Sequence, residues 1–301
     1  MKIINIFGND VIVRDHLCSS NPNDIVSSKP SLRLYIKLTD SCKANCSFCA
    51  NRESRDFGEL DLKKLEYVIS YLKDNNILHG ISITGGEPMT NPSKLYDLLS
   101  LIWKVCPGIE VAISTSGYNL KMFLQFDNVN NLESIHISRH HYDDSVNREI
   151  FKTNDIASTS EILYLQDFLE DKKIININTM VMKGYIDSLE EIKKMLNYVG
   201  DLGVYKNGFV SLMKCNQYSI DHFINFNDIF NHLDSNFFNG HHFYNKYFCE
   251  CVDGVYLTYN KKLVEYYARM VKECKPCETS SLVYTTDNKV TEGFSDKVLF
   301  K

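Results

Sequence analysis

Between residues 32 and 213 short runs rich in β-branched residues alternate with segments that are apolar at helical spacing. "LRLYIKL" (32–38), "GISIT" (80–84), "EVAIST" (110–115), "SIHIS" (134–138), "IININTMVM" (174–182) and "GFVSLM" (208–213) read as strands. Between them, "DLKKLEYVISYLKD" (61–74) carries Leu62, Leu65, Val68, Ile69 and Leu72 on one helical face. "NPSKLYDLLSLIWKV" (91–105) opens with a proline and places Leu95, Leu98, Leu99 and Ile102 likewise. "NLKMFLQF", "STSEILYLQDFLE" (158–170) and "SLEEIKKMLNYV" (188–199) read as three further helices. Strands separated by helical crossovers predict βαβ units and a parallel sheet, because parallel neighbours cannot be joined by a tight turn. Such sheets bind ligands beyond the carboxyl ends of their strands.

The flanks break this rhythm. "KIINIF", "GND" and "VIVRD" predict a strand, a turn and a second strand, followed by the polar connector "CSSNPNDIVSSKPS" (18–31). Past residue 215 aromatics, His and Cys become dense, and "GVYLTYNKKLVEYYA" predicts a hairpin. The expected organisation is an N-terminal hairpin and connector (1–31), a six-unit core (32–215) and a small module (216–301). The net charge of −5 offers no basic field for nucleic acid. No apolar run is long enough for a membrane span, and the first residues lack a signal-peptide pattern, so a cytoplasmic protein is expected. In that compartment ten cysteines point to metal or catalysis rather than disulfides.

Three of them stand within eight positions after the first core strand: Cys42, Cys46 and Cys49, spaced CxxxCxxC. Clustered thiolates suit soft ions and iron–sulfur clusters. A closed zinc site takes four ligands, so three leave one position open for another molecule or for a ligand from elsewhere in the chain.

This stretch resembles the radical S-adenosylmethionine (SAM) superfamily, and "TGGEPMTNP" (84–92), "STSG" (114–117) and "INTMVMKG" (177–184) follow in the family's order. The likeness covers residues 32–215 and is similar to the branch that contains GTP 3′,8-cyclase and the twitch/SPASM enzymes. It implies a partial (β/α)6 TIM-type barrel, an α/β fold, with a small C-terminal cysteine-rich α+β module of twitch type. It implies a 4Fe–4S cluster on Cys42, Cys46 and Cys49, with SAM on the open iron. It also implies SAM contacts from Phe48, Gly85, Gly86, Glu87, Pro88, Ser114, Ser116, Asn178 and Met180. Ser138 and Arg139 are expected to hold the SAM carboxylate, since arginine pairs carboxylates bidentately. Reductive cleavage of SAM to a 5′-deoxyadenosyl radical is the implied activity, fed by a reducing partner such as flavodoxin or ferredoxin.

"CEC" (249–251), "CKPC" (274–277) and Cys215 form a second group. The twitch resemblance implies an auxiliary 4Fe–4S cluster on Cys249, Cys251, Cys274 and Cys277, with Cys215 as replacement ligand. Structural zinc is the alternative, since CxC with CxxC also suits a tetrahedral ion. Cys18 and Cys106 receive no role. "SRHHYDD" (138–144) reads as a solvated loop at His140 and His141, and "HHFYNKYF" (241–248) as aromatic packing.

The expected substrate is a ribosomally made peptide, cross-linked, epimerised or oxidised. The alternative is a sugar, nucleotide or amino-acid derivative. The short N-terminal segment is expected to be too small for the peptide-recognition domain that many peptide-modifying relatives carry. The terminal "SDKVLFK" lacks the Gly-Gly of GTP 3′,8-cyclase. No catalytic side chain is assigned.

Overall fold

The structure is a computed structural model. It describes residues 2–13, 32–51, 58–127, 129–169, 174–225, 228–229, 279 and 281–301, and the backbone of 242–246, 253–259 and 262–267. Cys18, Cys249, Cys251, Cys274 and Cys277 lie outside these residues.

An antiparallel hairpin, β1 (Lys2–Ile6) with β2 (Asn9–Val13), opens the chain as expected. The six core strands follow: β3 (Leu32–Lys37), β4 (Leu78–Thr84), β5 (Glu110–Thr115), β6 (Ser134–Ser138), β7 (Ile175–Val181) and β8 (Lys206–Ser211). They lie side by side in chain order, each parallel to the next. The last begins and ends two residues before its sequence-based position.

Helices α1 (Leu62–Asp74), α2 (Pro92–Val105), α3 (Asp144–Phe151), α4 (Thr159–Phe168) and α5 (Leu189–Asp201) form the crossovers, and a short α6 (Gln217–Asp221) follows β8. Their starts are written locally. Asp61 accepts from the amides of Lys63 and Lys64, Asn91 caps a helix that begins at Pro92, and Ser158 forms a capping box with Glu161. Each such cap stabilises by about 1 kcal/mol. "NLKMFLQF" forms a 3-10 helix, Leu120–Gln125, rather than an α-helix. The loop reading of residues 138–144 needs correction, because α3 starts at Asp144, capped by Asp143, and His140 and His141 are both buried.

Alternation along the strands separates two faces. Leu34, Ile36, Ile81, Ile83, Val111, Ile113, Ile135, Ile137 and Ile177 are fully buried, in one core with the inner residues of α1, α2, α4 and α5. Burying each such side chain contributes about 1.5–3 kcal/mol. The opposite face carries Tyr35, Ser82, Thr84, Ser114, His136, Ser138, Asn176 and Asn178. The sheet therefore has one helix-covered apolar face and one polar face.

Strands from the last third extend this sheet at both edges. After β9 (His242–Lys246), β10 (Asp253–Tyr259) and β11 (Lys262–Tyr267) form the expected hairpin, and β11 pairs parallel with β8. β12 (Ser281–Tyr284) pairs parallel with β3 at the other edge, followed by β13 (Val290–Glu292) and β14 (Val298–Phe300). β9 to β14 thus share a twelve-stranded sheet with the six core strands. Among the described residues no helix is long and apolar enough to cross a membrane.

Candidate functional site

Three anchors fix the loop after β3 that carries Cys42, Cys46 and Cys49. From the turn after β4 the amides of Gly86 and Glu87 donate to Thr39 O (2.6 Å) and Ser41 O (2.7 Å). From α3, Phe151 O accepts from Asn45 N at 2.9 Å. From the segment after β8, Asn216 Nδ2 donates to Ser47 O at 3.0 Å. The loop is therefore tied to elements from both halves of the sheet, at the carboxyl ends of its strands.

The glycines of "GGEP" serve this docking. A Cβ at Gly85 would lie 2.2 Å from Thr39 O, and one at Gly86 would lie 2.2 Å from Ser41 O. Gly85 also has φ of +138°, which L side chains rarely adopt. The close approach that the glycines permit is between the two motif loops.

Glu87 is 1% exposed and fastens the next strand. Its Oε1 accepts from Met89 N (3.0 Å) and Thr115 Oγ1 (2.7 Å). Its Oε2 accepts from Ser116 N and Ser116 Oγ, both at 2.6 Å. Burial raises its pKa, opposed by these bonds, which favour the ionised form. Pro88 is buried in the 3-10 turn that Glu87 caps.

Arg139 does not face an anionic ligand. It is 0% exposed and pairs with Asp144 at 2.5 Å. Its Nη1 reaches Ala157 O at 3.2 Å and its Nη2 reaches Tyr142 O and Thr159 Oγ1 at 3.1 and 3.3 Å, and the guanidinium lies over the Tyr198 ring. The arginine sits on the helix side of the sheet, where its charge joins β6 to α3, α4 and α5. This overturns its assignment to the SAM carboxylate.

Ser114, Ser138, Asn176 and Asn178 line the polar face and make no side-chain hydrogen bond among the described residues. Near its floor, His136 Nε2 lies 2.8 Å from Ser134 Oγ, while His136 Nδ1 is buried without a partner. Burial, with Lys206 and Arg33 nearby, pulls the His136 pKa down to about 3. Met180 packs with Phe48, Ile150, Met182 and Leu212 beneath the cysteine loop.

Sequence reasoning missed His140. Its ring stacks on Phe151 (4.8 Å between centroids, 5° between planes) and meets Phe48 edge-on at 5.3 Å. Met180 N donates to its Nδ1 at 3.2 Å. The only signal in the sequence was its place two residues beyond a strand end. Cys215, expected as a spare ligand of the second group, lies beside the first. Its Sγ is 3.6 Å from Phe48 O and 3.8 Å from Ser219 Oγ.

The cysteine loop fits a cluster. Cys42, Cys46 and Cys49 pack with Ala44, Phe48, Phe151 and Ile156, so the seat is apolar. Burial, then the neighbouring thiols of Cys49 and Cys42, push the Cys46 thiol up to about 12. Three crowded thiols become thiolates readily only against a cation, which the irons of a cluster would supply. Among the described residues no three His, Cys, Asp or Glu side chains converge on a single ion. Three thiolates on separate corners of a cube have no need to do so.

Comparison with known proteins gives the family. The family model described as "Radical SAM superfamily" matches residues 36–205. A GTP 3′,8-cyclase of Clostridium perfringens is 27% identical over 189 residues, covering 60% of this chain and 55% of the relative. The FeMo cofactor biosynthesis protein NifB of Frankia alni is 23% identical over 207 residues, covering 60% and 40%. The chain thus spans about half the length of the curated relatives it matches. Among solved structures, Streptococcus suis SuiB bound to S-adenosylmethionine superposes with a TM-score of 0.63 at 14% identity, over 89% of this chain and 63% of SuiB. SuiB bound to its precursor peptide SuiA gives 0.50 at 22%, over 63% and 41%. These structural likenesses establish the fold, a partial TIM-type barrel. The motif order, the anchored triple-cysteine loop and the matched family model together show that the chain belongs to the radical SAM superfamily.

Proposed function

We propose that this protein is a radical SAM enzyme that modifies a ribosomally made peptide. With a 4Fe–4S cluster on Cys42, Cys46 and Cys49 and SAM beside it, the bound pair would supply a 5′-deoxyadenosyl radical that takes a hydrogen atom from the substrate. The chain's own part is positional. Gly86, Asn45 and Asn216 fix the loop, Glu87 fixes the neighbouring strand end, and the apolar packing buries Cys46 and half-buries Cys42 and Cys49.

The observation that carries the peptide reading is the reach of the likeness to SuiB, which spans 89% of this chain and so includes strands beyond the shared core. The polar face supports it. Ser114, Ser138, Asn176 and Asn178, whose side chains make no hydrogen bond among the described residues, suit the amide groups of a peptide. A second reading, a nucleotide substrate, is favoured by the curated relatives named GTP 3′,8-cyclase.

The test uses reduced, cluster-loaded protein with SAM, offered either GTP or each short peptide encoded beside its gene. The peptide reading expects one peptide to raise 5′-deoxyadenosine formation and to change mass itself. Stimulation by GTP alone would support the second reading instead.

We further propose that Cys249, Cys251, Cys274 and Cys277 bind a second 4Fe–4S cluster, and that a flavodoxin- or ferredoxin-type protein delivers the reducing electron. Iron analysis should then give about eight irons per chain. About four irons with one zinc would return the C-terminal thiols to a structural zinc site.

A further inference from the structure

We propose that His140 is a SAM-binding residue whose Nε2–H donates a hydrogen bond to an acceptor atom of SAM seated on the cysteine loop. The inference rests on the radical SAM assignment and adds a residue that the sequence motifs do not contain.

The tautomer follows from one contact. Met180 N is a donor, so the His140 Nδ1 that it meets at 3.2 Å must be an acceptor. A neutral imidazole that accepts at Nδ1 carries its proton on Nε2. Burial pulls the His140 pKa down to about 3, so the ring is neutral at physiological pH.

The orientation follows from packing. The ring lies flat on Phe151 and edge-on to Phe48, and His140 N donates to Asn147 Oδ1 at 2.9 Å. Turning the ring over would remove the acceptor from Met180 N and leave a part-buried backbone amide unsatisfied, which costs about 1 kcal/mol. One edge of the ring is thereby committed to β7. The other edge, with Nε2–H, has no hydrogen-bond partner among the described residues.

The location selects the ligand. Phe48 directly precedes Cys49, and His140 touches Phe48 at the carboxyl end of β6. A molecule bound to a cluster on Cys42, Cys46 and Cys49 would lie against the loop that carries Phe48. SAM is that molecule, rich in nitrogen and oxygen acceptors. The donor is fixed in advance, so binding orders no flexible side chain.

The experiment compares His140→Phe and His140→Gln with the wild type, each anaerobically loaded with iron and sulfide. Phe keeps the aromatic packing and removes the donor; Gln keeps an amide donor and acceptor. Iron content, SAM affinity by equilibrium dialysis, and the electron paramagnetic resonance change of the reduced cluster on SAM addition are measured. Full iron is expected in both. SAM affinity should fall about tenfold in His140→Phe, the effect of one lost hydrogen bond, with the resonance change displaced to higher SAM. His140→Gln should stay closer to wild type. Wild-type affinity in His140→Phe, equal weakening in both variants, or iron loss in both would overturn the proposal, the last by making the ring a structural part of the loop. Absence of SAM binding in the iron-loaded wild type would instead remove the SAM reading itself, and this assignment with it.

Discussion

Glu87 collects four donors from Met89, Thr115 and Ser116, and none of these contacts is visible in the motif that contains it. "GGEP" is legible as a motif, yet two of the three partners stand 28 and 29 positions away and meet the carboxylate only because β4 and β5 are neighbours. Glu87→Gln places an amide donor against donors. It should lower stability by about 1–3 kcal/mol, read as a fall in Tm. Arg139 teaches the same lesson with the opposite sign. Its place after a strand end suggested a ligand, but parity along β6 sends it to the helix side. Arg139→Ala should destabilise the fold, read as a fall in Tm, because it leaves the half-buried Asp144 without its buried partner and removes the packing on Tyr198. The folded protein that remains should keep wild-type SAM affinity, which dialysis would show. Burial raises the Asp144 pKa, but the hydrogen bond and charge of Arg139 outweigh it, so the net shift is downward from 3.8. A lowered carboxylate stabilises above its unfolded pKa and loses that contribution as pH falls through the folded value. Asp144→Asn should therefore flatten the acid limb of the stability curve below about pH 4, measured by denaturant unfolding.

At the level of elements, periodicity located the six core strands and four of the five crossover helices. It missed α3, whose eight residues, "DSVNREIF", are polar and short, and whose apolar side chains contact the cysteine loop rather than the main core. The docking of two loops is likewise beyond a one-dimensional pattern. The cysteine spacing points to a soft-metal or cluster site, but the glycines' contact with Thr39 and Ser41 needs the register of β3 on β4. Gly86→Ala should displace the cysteine loop, since its Cβ would meet backbone rather than a movable side chain. Anaerobic loading should then give clearly less iron at the first site although all three cysteines are intact. Full iron with weakened SAM binding would show instead that the glycine serves SAM directly.

At the scale of the molecule, twelve of the described strands form one sheet, in which β11 and β12 add parallel strands to opposite edges of the six-stranded core. Composition marked residues 216–301 as different but could not show that β11 and β12 pair with β8 and β3, because edge pairing depends on contacts between distant segments. The attachment reaches the site: Thr286, just past β12, hydrogen-bonds buried Asp40 at the root of the cysteine loop. Asn288 accepts from Asp61 N and donates to Glu59 O on the loop's far side. The central claim is that this supported loop seats a cluster that cleaves SAM. The direct measurement is 5′-deoxyadenosine formed from SAM by anaerobically loaded, dithionite-reduced protein, beside a variant with Cys42, Cys46 and Cys49 all changed to Ala. The account predicts product from the wild type and none from the folded variant, which should also lose about four irons. No product from the fully loaded wild type, or equal product from the variant, would contradict it.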